Sequence, residues 1–223
     1  MKVVTFDAGN TLIRLNRPVG TTYAVVARRF GAELDPAVLE HGFRSAWKTV
    51  PRLPDVPGPR LDDGRSWWRD VVLRTLEIAG TEVEPFDDYF DTVYREFALP
   101  DIWRLEPGAL DLLLDLRRAG LRLGVISNFD LRLFDILKHA GVLGLFEHVI
   151  ISSRIGADKP SPRIFQAALD HFAVEPQEML HVGDDEVADG AGARALRIQT
   201  FLLDAEDGSF QQLREWLGLR FDA

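Results

Sequence analysis

The chain has 223 residues, 46% of them hydrophobic and 27% charged, which fits a globular protein of one or two domains and excludes disorder. A formal net charge of −9 argues against nucleic acid as the main partner, and no apolar run approaches the roughly 20 residues that span a bilayer. Cysteine is absent, which excludes disulfides and thiolate chemistry, and the five histidines lack close metal-binding spacing, so a metal site must rest on carboxylates and favours a hard cation.

The first element is a β-rich run, Val3 to Phe6, ended by Asp7, Gly9 and Asn10. No basic segment followed by an apolar stretch precedes it, so the expectation is no signal peptide and a cytoplasmic protein. From Pro18 to about Leu99 the pattern turns helical. Tyr23, Val26, Ala27 and Phe30 share one helical face, Trp68, Val71, Val72, Thr75, Leu76 and Ala79 a second, and Phe86, Phe90, Val93, Tyr94 and Phe97 a third. Ser66 is the expected N-cap of the second helix and Gly80 its stop. Between the first and second lies PRLPDVPGPRLDDG (51–64), whose four prolines and two glycines predict an exposed loop. Trp47, Trp67, Trp68 and Trp103 in or beside this segment are expected to be packing residues.

After Pro107 and Gly108, helix and strand alternate. The predicted order is helix 109–120, strand 121–127, helix 130–141, strand 148–152, a helix opened by Pro162, strand 179–183, a helix including 190–196, strand 198–203 and a short helix 211–217. Such alternation predicts an α/β fold: a Rossmann-like parallel sheet flanked by helices, with ligands bound at the carboxyl ends of its strands. The helical stretch is then an inserted domain, 16–103, and the core comprises 1–15 and 104–223.

Four strands end in chemistry-bearing residues. Asp7 follows the first, Ser127 and Asn128 the second, Lys159 lies beyond the third, and Asp184 follows the fourth with Asp189 close behind. A carboxylate nucleophile, a hydroxyl and amide pair, a lysine and an acidic pair are the parts needed to handle a phosphoryl group. A carboxylate can attack phosphorus to give an aspartyl phosphate, and a divalent cation and lysine offset the charge that this brings together. Lys159 is one of only four lysines, so its position after a strand carries weight. His181, inside a buried strand, is expected to be structural.

In these residues the chain resembles the haloacid dehalogenase-like hydrolase superfamily, in its subfamily with a helical cap between the first and second motifs. The first motif is matched by Asp7-Ala8-Gly9-Asn10-Thr11-Leu12, the second by VISNFD with Ser127, the third by Lys159 in ADKPSPRIF, and the fourth by Gly183, Asp184 and Asp189 in HVGDDEVAD. Paired tryptophans before DVVL, the SNFD tetrapeptide, PRIFQAAL and HVGD narrow the likeness to a eukaryotic group of that superfamily. The resemblance implies Asp7 as nucleophile, and Asp7, the backbone carbonyl of Gly9, Asp184 and Asp189 as holders of Mg2+. It further implies Ser127, Asn128 and Lys159 on the phosphate, and Thr11 steadying the first loop. The implied partner is a small phosphorylated molecule, with no nucleic acid or membrane and a monomer or homodimer as the assembly.

Gly9 departs from the family's phosphatases, which carry there an aspartate that protonates the leaving oxygen and then activates water. Such acid–base help is worth about 10²–10⁴ in rate. Asp130 or Asp185 is a candidate substitute. The departure also opens other readings: a weakly catalytic or non-catalytic phosphate-binding protein, a 2-haloacid dehalogenase, or a phosphonate-cleaving enzyme in which Lys48, the only lysine of the insert, would form a Schiff base. Dehalogenases of the family tend to read Ser-Ser-Asn in the fourth motif, where this chain is acidic.

Overall fold

A computed structural model describes residues 1–203 and 210–218, which divide into two compact units, 1–14 with 55–60 and the described residues from 105 onward, and 15–54 with 61–104. In chain order the elements are β1 (Val3–Phe6), β2 (Ile13–Leu15), α1 (Val19–Arg28), α2 (Pro36–Thr49), α3 (Arg65–Ile78), α4 (Phe86–Glu96) and β3 (Trp103–Leu105). There follow α5 (Ala109–Arg118), β4 (Arg122–Ser127), α6 (Arg132–His139), β5 (His148–Ile151), α7 (Ser152–Ile155) and α8 (Pro162–Phe172). The chain ends with β6 (Met179–Gly183), a π-helical segment Glu186–Ala191, α9 (Gly192–Ala195), β7 (Gln199–Leu202) and α10 (Phe210–Trp216).

The first unit is built on a five-stranded sheet of order β5-β4-β1-β6-β7, every pair parallel, as the alternation of strands and helices predicts. Its three central strands, β4, β1 and β6, are largely buried and apolar because helices cover such a sheet. On one face α8 sets Ile164, Phe165, Ala168, Leu169 and Phe172 against Val3, Ile126, Ile150 and Met179. Gly124 admits the Phe172 ring: a Cβ there would stand 2.7 Å from its nearest carbon. The register sets the site. Phe6 lies opposite Val125 of β4 and Val182 of β6, so Asp7, Ser127 and Asp184 all fall within two residues of one line across the carboxyl edge. β1 has β4 on one side and β6 on the other, so this is also where the strand order reverses, the usual ligand position in open α/β sheets.

The second unit is helical. Tyr23, Val26, Ala27, Leu39, Val72, Leu76, Tyr89, Phe90 and Val93 form its core, so each predicted stripe faces inward. The α2 helix is an addition to the sequence reading; Asp35 caps it through Ala37 N–H, and Pro36 stands at its first position. The start of α3 also corrects that reading. Ser66 lies inside its first turn, and Asp62 supplies the cap by accepting from the N–H groups of Gly64 and Ser66. Trp47, Trp67 and Trp68 pack on one another with ring centroids 5.0–5.6 Å apart, as packing residues should. Lys48 is exposed near the end of α2 and has none of the burial that commonly activates a Schiff-base lysine. No helix among the described residues is long and apolar enough to cross a membrane.

The proline-rich segment is irregular and mostly exposed, as its composition predicts, and it is also docked. Its central residues, 55–60, belong to the first unit. There Val56 N–H donates to Gly156 O (2.8 Å), and Arg60 N–H to Ser153 O (2.7 Å).

Candidate active site

Asp7 extends the sheet by one residue, its N–H donating to Val182 O at 2.8 Å, and the residue is 8% exposed. The loop after it turns tightly because the Ala8 carbonyl collects the N–H groups of Thr11, Leu12 and Ile13, while Asn10 takes the left-handed backbone that Asn tolerates. That turn aims Thr11 at the fourth motif: its hydroxyl donates to Asp184 Oδ1 at 3.3 Å, joining two loops where the resemblance implied support of the first alone.

Lys159 is the hub. Its buried Nζ donates to Asp7 Oδ1 at 2.6 Å and to Asp189 Oδ1 at 2.5 Å. Burial alone would push this ammonium's pKa down, but the two carboxylates outweigh it and hold the pKa above the usual lysine value. Asn128 holds the lysine in place. Its Nδ2 donates to Lys159 O (3.0 Å) and its Oδ1 accepts from Lys159 N–H (2.6 Å). Where the resemblance implied a contact with phosphate, the amide is engaged with the backbone of Lys159 through one Nδ2–H and its oxygen. Ser127, at the end of β4, is buried, and among the described residues none hydrogen-bonds its hydroxyl.

Asp189 projects from the π-helical segment, a feature frequent at functional sites. It is 1% exposed; beyond Lys159, its Oδ1 meets His181 Nε2 at 3.0 Å and its Oδ2 accepts from Asp185 N–H at 3.1 Å. Burial raises the pKa of this carboxyl, but the hydrogen bond from His181 and the charge of Lys159 win and hold it well below the usual carboxylate range. Gly183 is required by this packing, since a Cβ there would lie 2.2 Å from the Asp189 carboxyl carbon. Asp184 has the opposite balance. Half-buried beside Asp7 and Asp189, it is pushed up to about 6, first by burial and then by those two charges. One carboxylate oxygen from each of Asp7, Asp184 and Asp189 lies within 4.8 Å of the others.

His181 was expected to be structural, and it is fully buried with its ring edge-on to Phe165 at 5.2 Å. It is also part of the site. Burial pushes its pKa down, against the hydrogen bond and charge of Asp189, which favour the protonated ring. Nε2 meets the Asp189 carboxylate, and Nδ1 lies 3.0 Å from the Thr5 hydroxyl, which also donates to Leu180 O at 3.3 Å. The signal in the sequence was one imidazole in a strand of otherwise apolar residues, which must find buried partners. Neither proposed substitute acid is free. Asp130 is paired with Arg132 at 2.6 and 2.8 Å, and Asp185 caps the π-helical segment through the N–H groups of Val187 and Ala188.

Chemically, three carboxylates face one ammonium, leaving two negative charges unbalanced. All the donors are hard oxygens, and one carboxyl is driven toward protonation by its neighbours; a divalent cation relieves both strains, so the residues fit one.

Comparison with known proteins agrees with this geometry. A family model for haloacid dehalogenase-like hydrolases matches residues 1–197. The human haloacid dehalogenase-like hydrolase domain-containing protein 3 is 40% identical over 207 residues, covering 91% of this chain and 82% of that protein. Among solved structures, a HAD phosphatase from Thermococcus onnurineus superposes with a TM-score of 0.69 at 21% identity, covering 99% of both chains. An L-2-haloacid dehalogenase gives 0.70 at 20% identity, covering 91% of this chain and 84% of that one. These two likenesses share the fold and leave the chemistry to the site.

Proposed function

The chain belongs to the haloacid dehalogenase-like hydrolase family, and on that premise we propose that it is a magnesium-dependent phosphatase of a small phosphorylated molecule. The observation that carries this reading is the acidic trio of Asp7, Asp184 and Asp189 around the Lys159 ammonium. A phosphate ester needs its negative charge offset before a carboxylate can approach phosphorus. Asp7, Asp184, Asp189 and the Gly9 carbonyl would hold Mg2+, which when bound supplies that positive charge opposite the ester oxygens.

The chain's own residues then divide the work. With Oδ1 held by Lys159, Asp7 attacks through Oδ2; a bond forms from this oxygen to phosphorus, and the bond to the ester oxygen breaks. Ser127 donates its hydroxyl to a phosphoryl oxygen, and Lys159 counters the charge of both the phosphate and Asp7. Asn128 keeps the lysine backbone in register, and the Thr11 hydroxyl fixes Asp184. Water then cleaves the aspartyl phosphate, releasing inorganic phosphate and restoring Asp7. With glycine at position 9 no carboxylate protonates the leaving oxygen, so the substrates turned over best are those whose leaving group departs as a stable anion, such as aryl and acyl phosphates.

A panel of phosphate esters, acyl phosphates and 2-haloacids, with and without Mg2+ and with Asp7→Asn as control, tests the reading. Metal-dependent phosphate release that disappears in Asp7→Asn supports it, and haloacid turnover without metal sinks it. Gly9 favours one second reading. If phosphate and magnesium bind and no panel member turns over, the protein is a non-catalytic phosphate-binding member of the family.

A further inference from the structure

Lys159 must place its Nζ within 2.6 Å of two carboxylates, yet it stands in the irregular loop between α7 and α8. A loop of this kind holds such precision only when other elements fix it. One clamp is Asn128, described above. The other comes from residues 55–60, which cross this loop as a strap.

The strap is tied at several points. Besides the two backbone bonds already given, Arg163 Nη2 donates to Val56 O at 2.8 Å, and the Ser161 hydroxyl to Asp55 Oδ2 at 2.7 Å. Gly156 permits the approach. Its backbone is left-handed (φ +74°), and a Cβ would lie 2.1 Å from Gly58 O and 2.5 Å from Val56 O. The strap's charged end is Arg60, whose side chain is 7% exposed and forks onto Asp158, with Nη1 to Oδ1 at 3.0 Å and Nη2 to Oδ2 at 3.1 Å. Asp158 is the residue directly before Lys159. Two parallel charge-assisted bonds fix a carboxylate in direction as well as distance, so Arg60 grips the chain one residue from the ammonium while Asn128 grips the lysine backbone itself.

We propose that Arg60, acting through Asp158, is a positioning residue for Lys159, and that the strap is the device that keeps this lysine between Asp7 and Asp189. The inference rests on the reading of Lys159 as the site's counter-charge, so its test includes a measurement independent of turnover.

The chain has only four lysines, so acetic anhydride labelling of the native protein followed by mass spectrometry reports each one, with Lys2, Lys48 and Lys138 as internal references. Relative to these, labelling of Lys159 should rise at least about tenfold in Arg60→Ala and Asp158→Ala, the scale expected when one partner of a largely buried charge pair is lost. In Arg60→Lys, which keeps the charge but loses the two-pronged grip, the rise should be intermediate between wild type and Arg60→Ala. With p-nitrophenyl phosphate and Mg2+, Arg60→Ala should lower kcat about tenfold with KM nearly unchanged, because the lysine acts on the transition state.

Lys159 as protected in both alanine variants as in wild type overturns the proposal. So does a uniform rise over all four lysines in Arg60→Ala and in the milder Asp158→Asn, which would make the pair a plain structural tie. A wild-type protein without turnover counts against the proposed phosphatase, and the labelling then decides the role of the strap.

Discussion

Gly9→Asp should convert a site without a general acid into one that has it. Gly9 is only partly buried, its backbone is not left-handed, and a Cβ there meets no atom within 4 Å, so the new side chain enters open space. The gain is bounded by general acid–base catalysis, about 10²–10⁴ in rate, which is about 3–5 kcal/mol off the barrier. The assay is kcat for an alkyl phosphate and for p-nitrophenyl phosphate at saturating Mg2+. Alkyl ester turnover should rise by about 10² or more, and aryl ester turnover far less, because only the alkoxide needs the proton. A correctly folded variant that binds Mg2+ as wild type does, yet gains nothing on the alkyl ester, would refute the reasoning. Another group would then already supply the proton, or Asp7 would not be the nucleophile.

Lys159→Met should abolish turnover and leave two buried carboxylates facing one another, at a cost of about 3–5 kcal/mol in urea unfolding without metal; saturating Mg2+ should recover part of that loss. Because Asp184 is pushed up to about 6, Mg2+ affinity measured by calorimetry should fall as the pH drops through that value, and Asp184→Asn should bind weakly with a flatter profile. Burial, and next the stacked His171 ring 3.5 Å away, hold His148 below the usual histidine range. The unfolded chain therefore takes up the proton first: this contribution to stability is complete above about pH 6.5 and is lost as the pH falls through the folded value. Denaturant midpoints from pH 8 to pH 5 should fall less in His148→Phe than in wild type.

The parallel sheet and three of the inserted helices were legible because long apolar runs and stripes at helical spacing leave few alternatives, and the strand ends marked Asp7, Ser127 and Asp184. What stayed hidden depended on side chains that meet only after folding. Asn128 follows a strand as a ligand-binding residue would, and nothing local reveals that its amide bonds Lys159 O and N–H. His181 read as packing because one imidazole does not announce its buried carboxylate eight residues on. The prolines of 51–64 correctly predicted irregular backbone, yet the docking of Arg60 on Asp158 spans 98 residues and has no periodic signature. The α2 helix was missed because Gly42 interrupts its buried face, although Leu39 and Ala46 lie seven residues apart on it.

The placement of Lys159 between Asp7 and Asp189 also sets a sequence of events. With two negative charges left unbalanced, the empty site repels a phosphate dianion, and only the cation enters downhill. Once that cation is held the site is near neutral, and a dianionic ester can follow without opposing a net field. On the proposed phosphatase reading, one ammonium shared by two carboxylates therefore sets the expected order of loading, metal before substrate.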